Sequence, residues 1–149
     1  MDGRAMTETL ASTDDRVEGA GTLTRKVFEY DKTMKRLVAG VEGPADWAPL
    51  AEIVAVDQFE RVGTFLEVQN WNQYTEMLTR WALTTDAFET IVRRISELGA
   101  LVYYEIEEHH FRGDNVNVVN SMTVFEFDTH DKIRRLNVYL QQARERQLR

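Results

Sequence analysis

The 149-residue sequence contains no cysteine and only two prolines. Without cysteine the chain forms no disulfide framework, has no thiol nucleophile and offers no thiolate to a metal. No apolar run approaches the roughly 20 residues that a membrane-spanning helix requires, and the N-terminus lacks the apolar segment of a signal peptide. We therefore expect a cytoplasmic protein that does not associate with membranes.

Positive charge is also scarce. The chain has 18 Lys and Arg residues against 25 Asp and Glu, which gives a formal net charge of -7. Because nucleic acids and anionic membrane surfaces are bound by clustered Lys and Arg, the composition argues against both as partners. The chain is 43% hydrophobic, which is enough for a full core, and its length suits one domain.

The two ends of the chain differ from its middle. Residues 1–21 are rich in Thr, Asp, Glu, Gly and Ala and have neither helical nor strand periodicity. Such a segment buries too little apolar surface to offset its ordering entropy, so we expect a disordered tail; a partner-binding arm is the alternative. We expect one folded domain over residues 22–142 and a polar C-terminal tail over 143–149.

Two segments in the first half have helical periodicity. In residues 22–40 apolar side chains recur every three or four positions, and Tyr30 belongs to this stripe. A buried tyrosine needs a partner for its hydroxyl, so Tyr30 is either a core residue or a hydrogen-bond donor in a pocket. In residues 64–82 an aromatic stripe forms either core or a ligand-contacting wall; its members are Trp71, Tyr74, Leu78 and Trp81. Asn70 or Asn72 can cap this helix.

Short elements are expected between these two helices. Asp46 favours the start of a short helix. Residues 57–62 predict a short edge strand, in which Phe59 and Arg61 share one face because side chains alternate along a strand.

The stretch from Asp86 to Gln141 contains no proline, and its two glycines, Gly99 and Gly113, fall where the strand pattern breaks. The pattern predicts four consecutive antiparallel strands joined by tight turns. We expect these strands over residues 87–95, 100–112, 116–127 and 133–141.

The last predicted hairpin carries a family resemblance. Its residues are Val124-Phe-Glu-Phe-Asp128, a tight turn, Lys132-Ile133 and Leu136-Asn-Val-Tyr139, supported by Ala45-Asp-Trp47 and Val56-Asp-Gln-Phe-Glu-Arg-Val-Gly63. Over about residues 22–142 the chain resembles the nuclear transport factor 2-like superfamily, which includes ketosteroid isomerase, limonene epoxide hydrolase and SnoaL-type polyketide cyclases. The resemblance implies an α+β fold: a conical roll of a strongly curved, mostly antiparallel sheet, closed by about three N-terminal helices around a central pocket.

The resemblance also implies which side chains face the pocket and which face outward. The residues expected to contact a ligand are Tyr30, Phe59, Arg61, Trp71, Tyr74, Tyr104, Ile106, Ser121, Thr123, Phe125 and Val138. On the outer face of the sheet apolar residues such as Tyr103, Met122 and Tyr139 lie among charges. Apolar surface there implies a partner sheet, and homodimerisation through it would be similar to family practice.

Glu108 and His110 are the candidate catalytic residues. If both face the pocket, a carboxyl and an imidazole lie about 7 Å apart along one strand, which is suitable for general acid–base chemistry. His109 points to the opposite face, so the two histidines are poorly placed to share a metal, and we expect neither metal nor cofactor. The alternative is a structural cluster in which Glu108 pairs with Arg61 or Arg94. A shift of one residue would place the candidates outside the pocket.

The catalytic sets of the named relatives are incomplete in this chain. Limonene epoxide hydrolase uses an acid, an arginine and a second acid. Glu108 matches the first acid, but Ile106 and Val138 stand at the other two positions. Thr123 stands at the oxyanion-hole aspartate of ketosteroid isomerase. Gln141 stands nearest to the acid that SnoaL-type cyclases carry at the end of the last strand.

The sequence therefore predicts a pocket for a small hydrophobic molecule and leaves two interpretations open. In the first, the chain is a cofactor-free isomerase, dehydratase or hydrolase that uses Glu108 or His110 as acid or base, with Tyr30, Thr123 and Arg61 as polar supports. In the second, it is a non-catalytic ligand-binding or assembly module of the same fold.

Overall fold

A computed structural model describes residues 20–143 of the chain. Residues 1–19 of the predicted N-terminal tail and residues 144–149 of the predicted C-terminal tail lie outside this range. The helices are α1 (Thr22–Leu37), α2 (Ala48–Ala51), which follows a 3-10 turn at Pro44–Trp47, and α3 (Trp71–Leu83). The strands are β1 (Glu60–Val62), β2 (Val68–Gln69), β3 (Ala87–Leu98), β4 (Leu101–Arg112), β5 (Asn115–Phe127) and β6 (Ile133–Gln142).

The six described strands form one curved, unclosed sheet in the order β2-β1-β6-β5-β4-β3. All neighbouring strands are antiparallel except β1 and β6, which are parallel. The helices lie toward one face of this sheet, where α1 contacts β3 and β4. The predicted α+β fold, a curved and mostly antiparallel sheet with about three helices, is confirmed.

The helix α1 buries the apolar stripe that the sequence predicted. Leu23, Val27, Tyr30 and Met34 are all buried in the core, and each fully buried large side chain contributes about 1.5–3 kcal/mol. The hydroxyl of Thr24 donates a hydrogen bond to Glu97 at 2.7 Å. That contact joins the start of α1 to the end of β3.

The aromatic helix begins at Trp71, and its cap is Asn70, one of the two predicted caps. The Asn70 side chain accepts the Gln73 backbone N–H at 2.9 Å, and the Gln73 side chain accepts the Asn70 backbone N–H at 2.9 Å. This reciprocal pair satisfies two otherwise unpaired donors and fixes the helix start. The residues just before it form β2, which the sequence did not predict.

The four long strands occur where the sequence predicts them. Gly99 and Gly113 adopt φ values of 60° and 57° at the β3–β4 and β4–β5 turns, a conformation that glycine accepts without steric cost. The strand β3 extends three residues beyond its predicted end, to Leu98. The strand β4 pairs along its whole length with β5 and along nearly all of it with β3, so its register is fixed from both sides.

The short strand near residue 60 is not an edge strand. It covers Glu60–Val62 and lies between β2 and β6, pairing Arg61 with Gln69 on one side and with Leu136 on the other. The edge is β2. The prediction was wrong because the parallel pairing with β6 joins positions more than 70 residues apart, which leaves no local pattern in the sequence.

The outer face of the sheet carries apolar side chains among ion pairs. Tyr139 is 61% exposed and lies opposite Met122 in the β5–β6 pairing. Val116 and Val118 on β5 are also exposed. The homodimer expected through this face stays a prediction. Within residues 20–143, no helix combines the length and the apolar character needed to cross a membrane.

The β5–β6 turn depends on one carboxylate. The Asp128 side chain accepts the backbone N–H groups of His130 and Lys132, each at 2.9 Å. These bonds, that of Lys132 foremost, lower the pKa of Asp128 below its ordinary value of 3.8.

Asp128→Ala should lower the free energy of unfolding by about 1–2 kcal/mol at neutral pH, since both backbone donors lose their acceptor. The pKa is lower in the folded state, so this stabilisation is complete above the unfolded value near 3.8 and is lost as the pH falls through the folded value. Urea unfolding at neutral pH and at about pH 3 measures both effects. Thr129→Ala, in the same turn, should change little; an equal loss in that variant would contradict the assignment.

Candidate functional site

A cavity of about 330 Å³ lies between the inner face of the sheet and the helices α1 and α3. Its wall is mainly aromatic and aliphatic. Charged or titratable side chains other than tyrosine enter it at four positions: Asp31, Arg61, Glu108 and His110. The volume falls within the range of small-molecule pockets, about 300–1,000 Å³, and an apolar wall with a few polar groups is their usual composition.

A second cavity of about 410 Å³ adjoins the first, toward the β4–β5 hairpin. Its wall is more polar and contains Thr84, Thr85, Arg112, Asn115, Asn117 and Gln142. Four residues line both cavities: Trp81, Glu108, His110 and Leu140. The two candidate catalytic residues therefore stand at the boundary between an apolar inner cavity and a polar outer one.

Glu108 and His110 form the centre of a hydrogen-bonded chain of four side chains. One carboxylate oxygen of Glu108 lies 2.8 Å from Nε2 of His110, and the other accepts the Ser121 hydroxyl at 2.5 Å. The indole N–H of Trp81 reaches Nδ1 of His110 at 2.9 Å. Glu108 and His110 are 18% and 20% exposed, so the pair is held firmly and still borders the cavity.

The alternation of β4 brings these groups together. Even-numbered residues from Tyr104 to His110 face inward, as the resemblance implied. The register places Ile106 opposite Ser121 and Glu108 opposite Val119, which makes Ser121 a diagonal neighbour of Glu108 on the same face. Trp81 comes from the last turn of α3, which lies over this part of the sheet.

The odd-numbered residues of β4 form a separate ionic set on the outer face. Glu107 pairs with Arg93 at 2.5 Å and with His109 at 2.6 Å, and Glu105 pairs with Arg94 at 2.6 Å. The hydrogen bond from His109, followed by that from Arg93, lowers the pKa of Glu107. Among residues 20–143, no group of three His, Cys, Asp or Glu side chains could hold a metal ion.

The alternative in which Glu108 pairs with Arg61 or Arg94 does not occur. Arg94 pairs with Glu105 on the outer face, not with Glu108. Arg61 donates to Gln69 at 3.1 Å and lies 3.8 Å from Glu67. Within the described residues Glu108 has no arginine partner, and its hydrogen bonds go to His110 and Ser121. The alternative pairing with Arg94 was wrong because a register shift between Val92 and Arg94 turns Arg94 to the outer face of the sheet.

Two buried tyrosines meet at the other side of the inner cavity. The hydroxyls of Tyr30 and Tyr74 are hydrogen-bonded to each other. Burial, reinforced by the neighbouring Tyr74, raises the pKa of Tyr30 well above its ordinary value of 10.0. Burial also raises the pKa of Tyr74. Both hydroxyls therefore remain protonated at neutral pH. The Arg61 guanidinium lies 5.7 Å from the centre of the Tyr74 ring, and its charge acts to lower both pKa values.

The structure brings most of the predicted ligand residues to one cavity. Those that line it are Tyr30, Arg61, Tyr74, Tyr104, Ile106, Thr123, Phe125 and Val138. Ser121 is buried and bonds to Glu108. Phe59 and Trp71 do not line the cavity. Phe59 stacks on the Tyr74 ring at 5.3 Å, and Trp71 packs edge-on against Phe59 at 5.3 Å, so both support the wall from behind.

Sequence reasoning missed two polar contacts of the site. Asp31 is buried, lines the inner cavity, and binds the Thr90 hydroxyl at 2.8 Å and the Lys35 ammonium at 3.0 Å. Trp81 was grouped with the aromatic stripe and not with the polar pair. The only signal in the sequence for the Asp31 contacts is that this acid directly follows Tyr30, a residue of the apolar stripe. The Trp81–His110 contact joins positions 29 residues apart and leaves no signal.

The fold has many solved counterparts, although the sequence matches no protein-family model and no curated protein. A SnoaL-like polyketide cyclase candidate from Shewanella putrefaciens is similar at a TM-score of 0.67 and 8% identity, over 84% of this chain and 83% of that one. A nuclear transport factor 2-like protein from Anabaena variabilis has a TM-score of 0.64 and 12% identity, over 80% of this chain and 89% of that one. An LEH-like epoxide hydrolase from M. tuberculosis has a TM-score of 0.58 and 16% identity, over 78% of this chain and 84% of that one.

The chain therefore has the nuclear transport factor 2-like fold, and the resemblance seen in the last hairpin is confirmed. At identities of 8–16%, these likenesses concern the fold. The chemistry of this chain has to be argued from its own cavity.

The tyrosine pair offers a test of this geometry by stability. Tyr30→Phe and Tyr74→Phe should each lower the free energy of unfolding by about 1–2 kcal/mol, since each leaves one buried hydroxyl without its partner. The double variant should lose less than the sum, because both polar groups are then removed together. Urea unfolding of the wild-type protein, the two single variants and the double variant gives the four free energies of unfolding that are compared. Tyr139→Phe, on the exposed outer face, is the control, and strict additivity of the two losses would contradict the contact.

Proposed function

We propose that this protein binds a small hydrophobic molecule in the inner cavity. The observation that supports this most directly is the apolar space of about 330 Å³ with a polar pair at one boundary. Ligand sites of this kind gain affinity from apolar contact and orientation from a few polar groups. A compact polyketide, terpenoid or steroid-like compound has the matching chemistry.

The position of Glu108 and His110 suggests how such a ligand lies. Its apolar body would fill the inner cavity, and its reactive or polar part would reach the boundary where the carboxylate stands. The outer cavity, with its hydroxyl and amide side chains, suits a more polar end or solvent. A ligand placed this way contacts Glu108 without exposing its apolar part to water.

The pair Val138 and Tyr139 gives a matched test of binding. Val138 faces the inner cavity and Tyr139 faces outward. Val138→Trp fills the cavity and should weaken binding of the neutral fluorescent probe N-phenyl-1-naphthylamine by about tenfold or more, because the probe loses its apolar space. Tyr139→Trp should leave it unchanged. Fluorescence titration gives both dissociation constants, and native mass spectrometry of the freshly purified protein reports any retained ligand.

Equal probe affinity in the wild-type protein and Val138→Trp would place the binding elsewhere and remove the basis of the proposal. A lower affinity in both tryptophan variants would point instead to the outer face of the sheet.

We further propose that the bound molecule undergoes proton transfer at Glu108. A carboxylate at the edge of a water-poor cavity can accept a proton from a carbon next to a carbonyl: the C–H bond breaks, an O–H bond forms on Glu108, and the electron pair moves to the carbonyl oxygen. Return of the proton to another carbon completes an isomerisation, and no oxidant or reductant is consumed. Tyr30, Arg61 and Thr123 line the same cavity and supply polar support for a developing oxyanion.

Glu108→Gln and Glu107→Gln form the matched pair for this chemistry, because adjacent residues face the cavity and the outer surface. The probe is 2-tetralone, an apolar ketone with acidic α-protons, and the readout is exchange of these protons in D₂O by NMR. The wild-type protein should accelerate exchange over buffer. Glu108→Gln should lower the rate on the order of 10²-fold, the usual contribution of a positioned acid or base. Glu107→Gln should not.

The alternative function is a non-catalytic ligand-binding or assembly module of the same fold. The incomplete catalytic sets of the named relatives favour it, since Ile106 stands where one of those enzymes carries an arginine, and Thr123 and Val138 stand where they carry an acid. In that case the cavity binds N-phenyl-1-naphthylamine, but exchange in 2-tetralone matches buffer, and Glu108→Gln changes stability alone.

A further inference from the structure

The contact between Trp81 and His110 determines where the imidazole carries its proton. An indole nitrogen has one hydrogen and no acceptor lone pair, so it can only donate. Its nitrogen lies 2.9 Å from Nδ1 of His110. That ring nitrogen must therefore accept, which requires that it carry no hydrogen.

The remaining hydrogen of a neutral imidazole is then on Nε2. This nitrogen lies 2.8 Å from Glu108, so the ring donates to the carboxylate. A doubly protonated ring would place the Nδ1 hydrogen against the indole hydrogen and lose this bond. The aromatic rings of Phe88 and Trp81, at 5.0 and 5.6 Å from the imidazole, leave the ring little room to turn away.

The second carboxylate oxygen of Glu108 also has a hydrogen-bond partner. Its second oxygen accepts the Ser121 hydroxyl at 2.5 Å. A serine hydroxyl can rotate to donate or to accept. It can therefore donate to the carboxylate, and it can accept from the carboxylic acid after Glu108 has taken up a proton. The imidazole N–H donates to Glu108 in both states, so the chain of hydrogen bonds is kept throughout a proton transfer.

His109, the neighbour of His110, has a similar carboxylate contact but no indole donor. His109 also pairs through Nε2 with the carboxylate two positions earlier, Glu107, at 2.6 Å. It lies on the outer face, where its ring stacks on Phe111, and no hydrogen bond from a described residue reaches its Nδ1. The two histidines thus each pair through Nε2 with the glutamate two positions earlier, but only His110 of the two also accepts a hydrogen bond from Trp81.

We propose that Trp81 is a positioning residue that holds His110 as the neutral Nε2–H tautomer, and thereby leaves Glu108 as the group that gives and takes protons. The role of Glu108 rests on the function proposed above. The tautomer of His110 does not, and it can be measured on the free protein.

The experiment is a long-range ¹H–¹⁵N correlation spectrum of the histidine side chains at neutral pH, in full-length protein labelled with ¹⁵N. His109→Gln and His110→Gln assign the signals. In the wild-type protein His110 should show a bare, pyridine-type Nδ1 and a protonated, pyrrole-type Nε2. Trp81→Phe keeps an aromatic ring at this position but removes the donor, and it should reduce the preference for this tautomer on the order of fivefold, the effect of one hydrogen bond. The signals of His109 should not change.

A protonated Nδ1 on His110 in the wild-type protein overturns the proposal, and this outcome needs no variant to fold. An unchanged ratio of the two His110 tautomers in folded Trp81→Phe also overturns it, because Glu108 alone would then be sufficient to set that ratio. If the spectrum agrees but Glu108→Gln exchanges 2-tetralone as fast as the wild-type protein, the proposed catalysis fails while the positioning contact stands.

Discussion

The fixed register of β4 is the constraint on which the rest of the site depends. This strand is paired on both sides, to β3 and β5, so it cannot slip without breaking two ladders. Because side chains alternate, its polar segment is divided into two sets. Glu108 and His110 border the cavity. Outside, Glu105 and Glu107 pair with arginines, and His109 pairs with Glu107. A shift of one residue would exchange the two sets and place an ion-pair network inside the cavity.

Charges on opposite sides of the inner cavity act on the same hydroxyl. Burial is the main cause that raises the pKa of Tyr74, but the charge of Glu108 also raises it and the charge of Arg61 lowers it. The tyrosine pair and the Glu108 chain are therefore parts of one electrostatic unit. A ligand between them would experience a cation and hydroxyl donors on one side and a carboxylate on the other, which is the polarity needed to stabilise an oxyanion while a proton leaves.

The sequence predicted those features that leave a local periodic signal. The strand run from Asp86 to Gln141 was predictable because alternation and two glycines mark strands and turns, and the helix containing Tyr30 because its apolar period is regular. The inward placement of Glu108 followed from the resemblance together with this alternation. Features built from distant pairs were missed or misplaced: β2, the interior position of β1, and the meeting of Trp81 with His110. Tertiary contacts decide these, and no short stretch of residues encodes them.

The parallel pairing of β1 with β6 has a consequence for the order in which the chain can fold. Arg61 lies opposite Leu136, so a ribosome must complete nearly the whole domain before this ladder can form. The three hairpins that join β3 to β6 need only short loop closures, which cost little entropy. We expect these hairpins to form early and the N-terminal half to dock afterwards, with closure of the cavity as a late event in folding. During synthesis the inner wall of the cavity is therefore exposed until the last strand has emerged. The aromatic side chains of α1 are without their sheet partners for longer than those of α3, because Phe28 packs against Tyr104 and Tyr30 against Phe125.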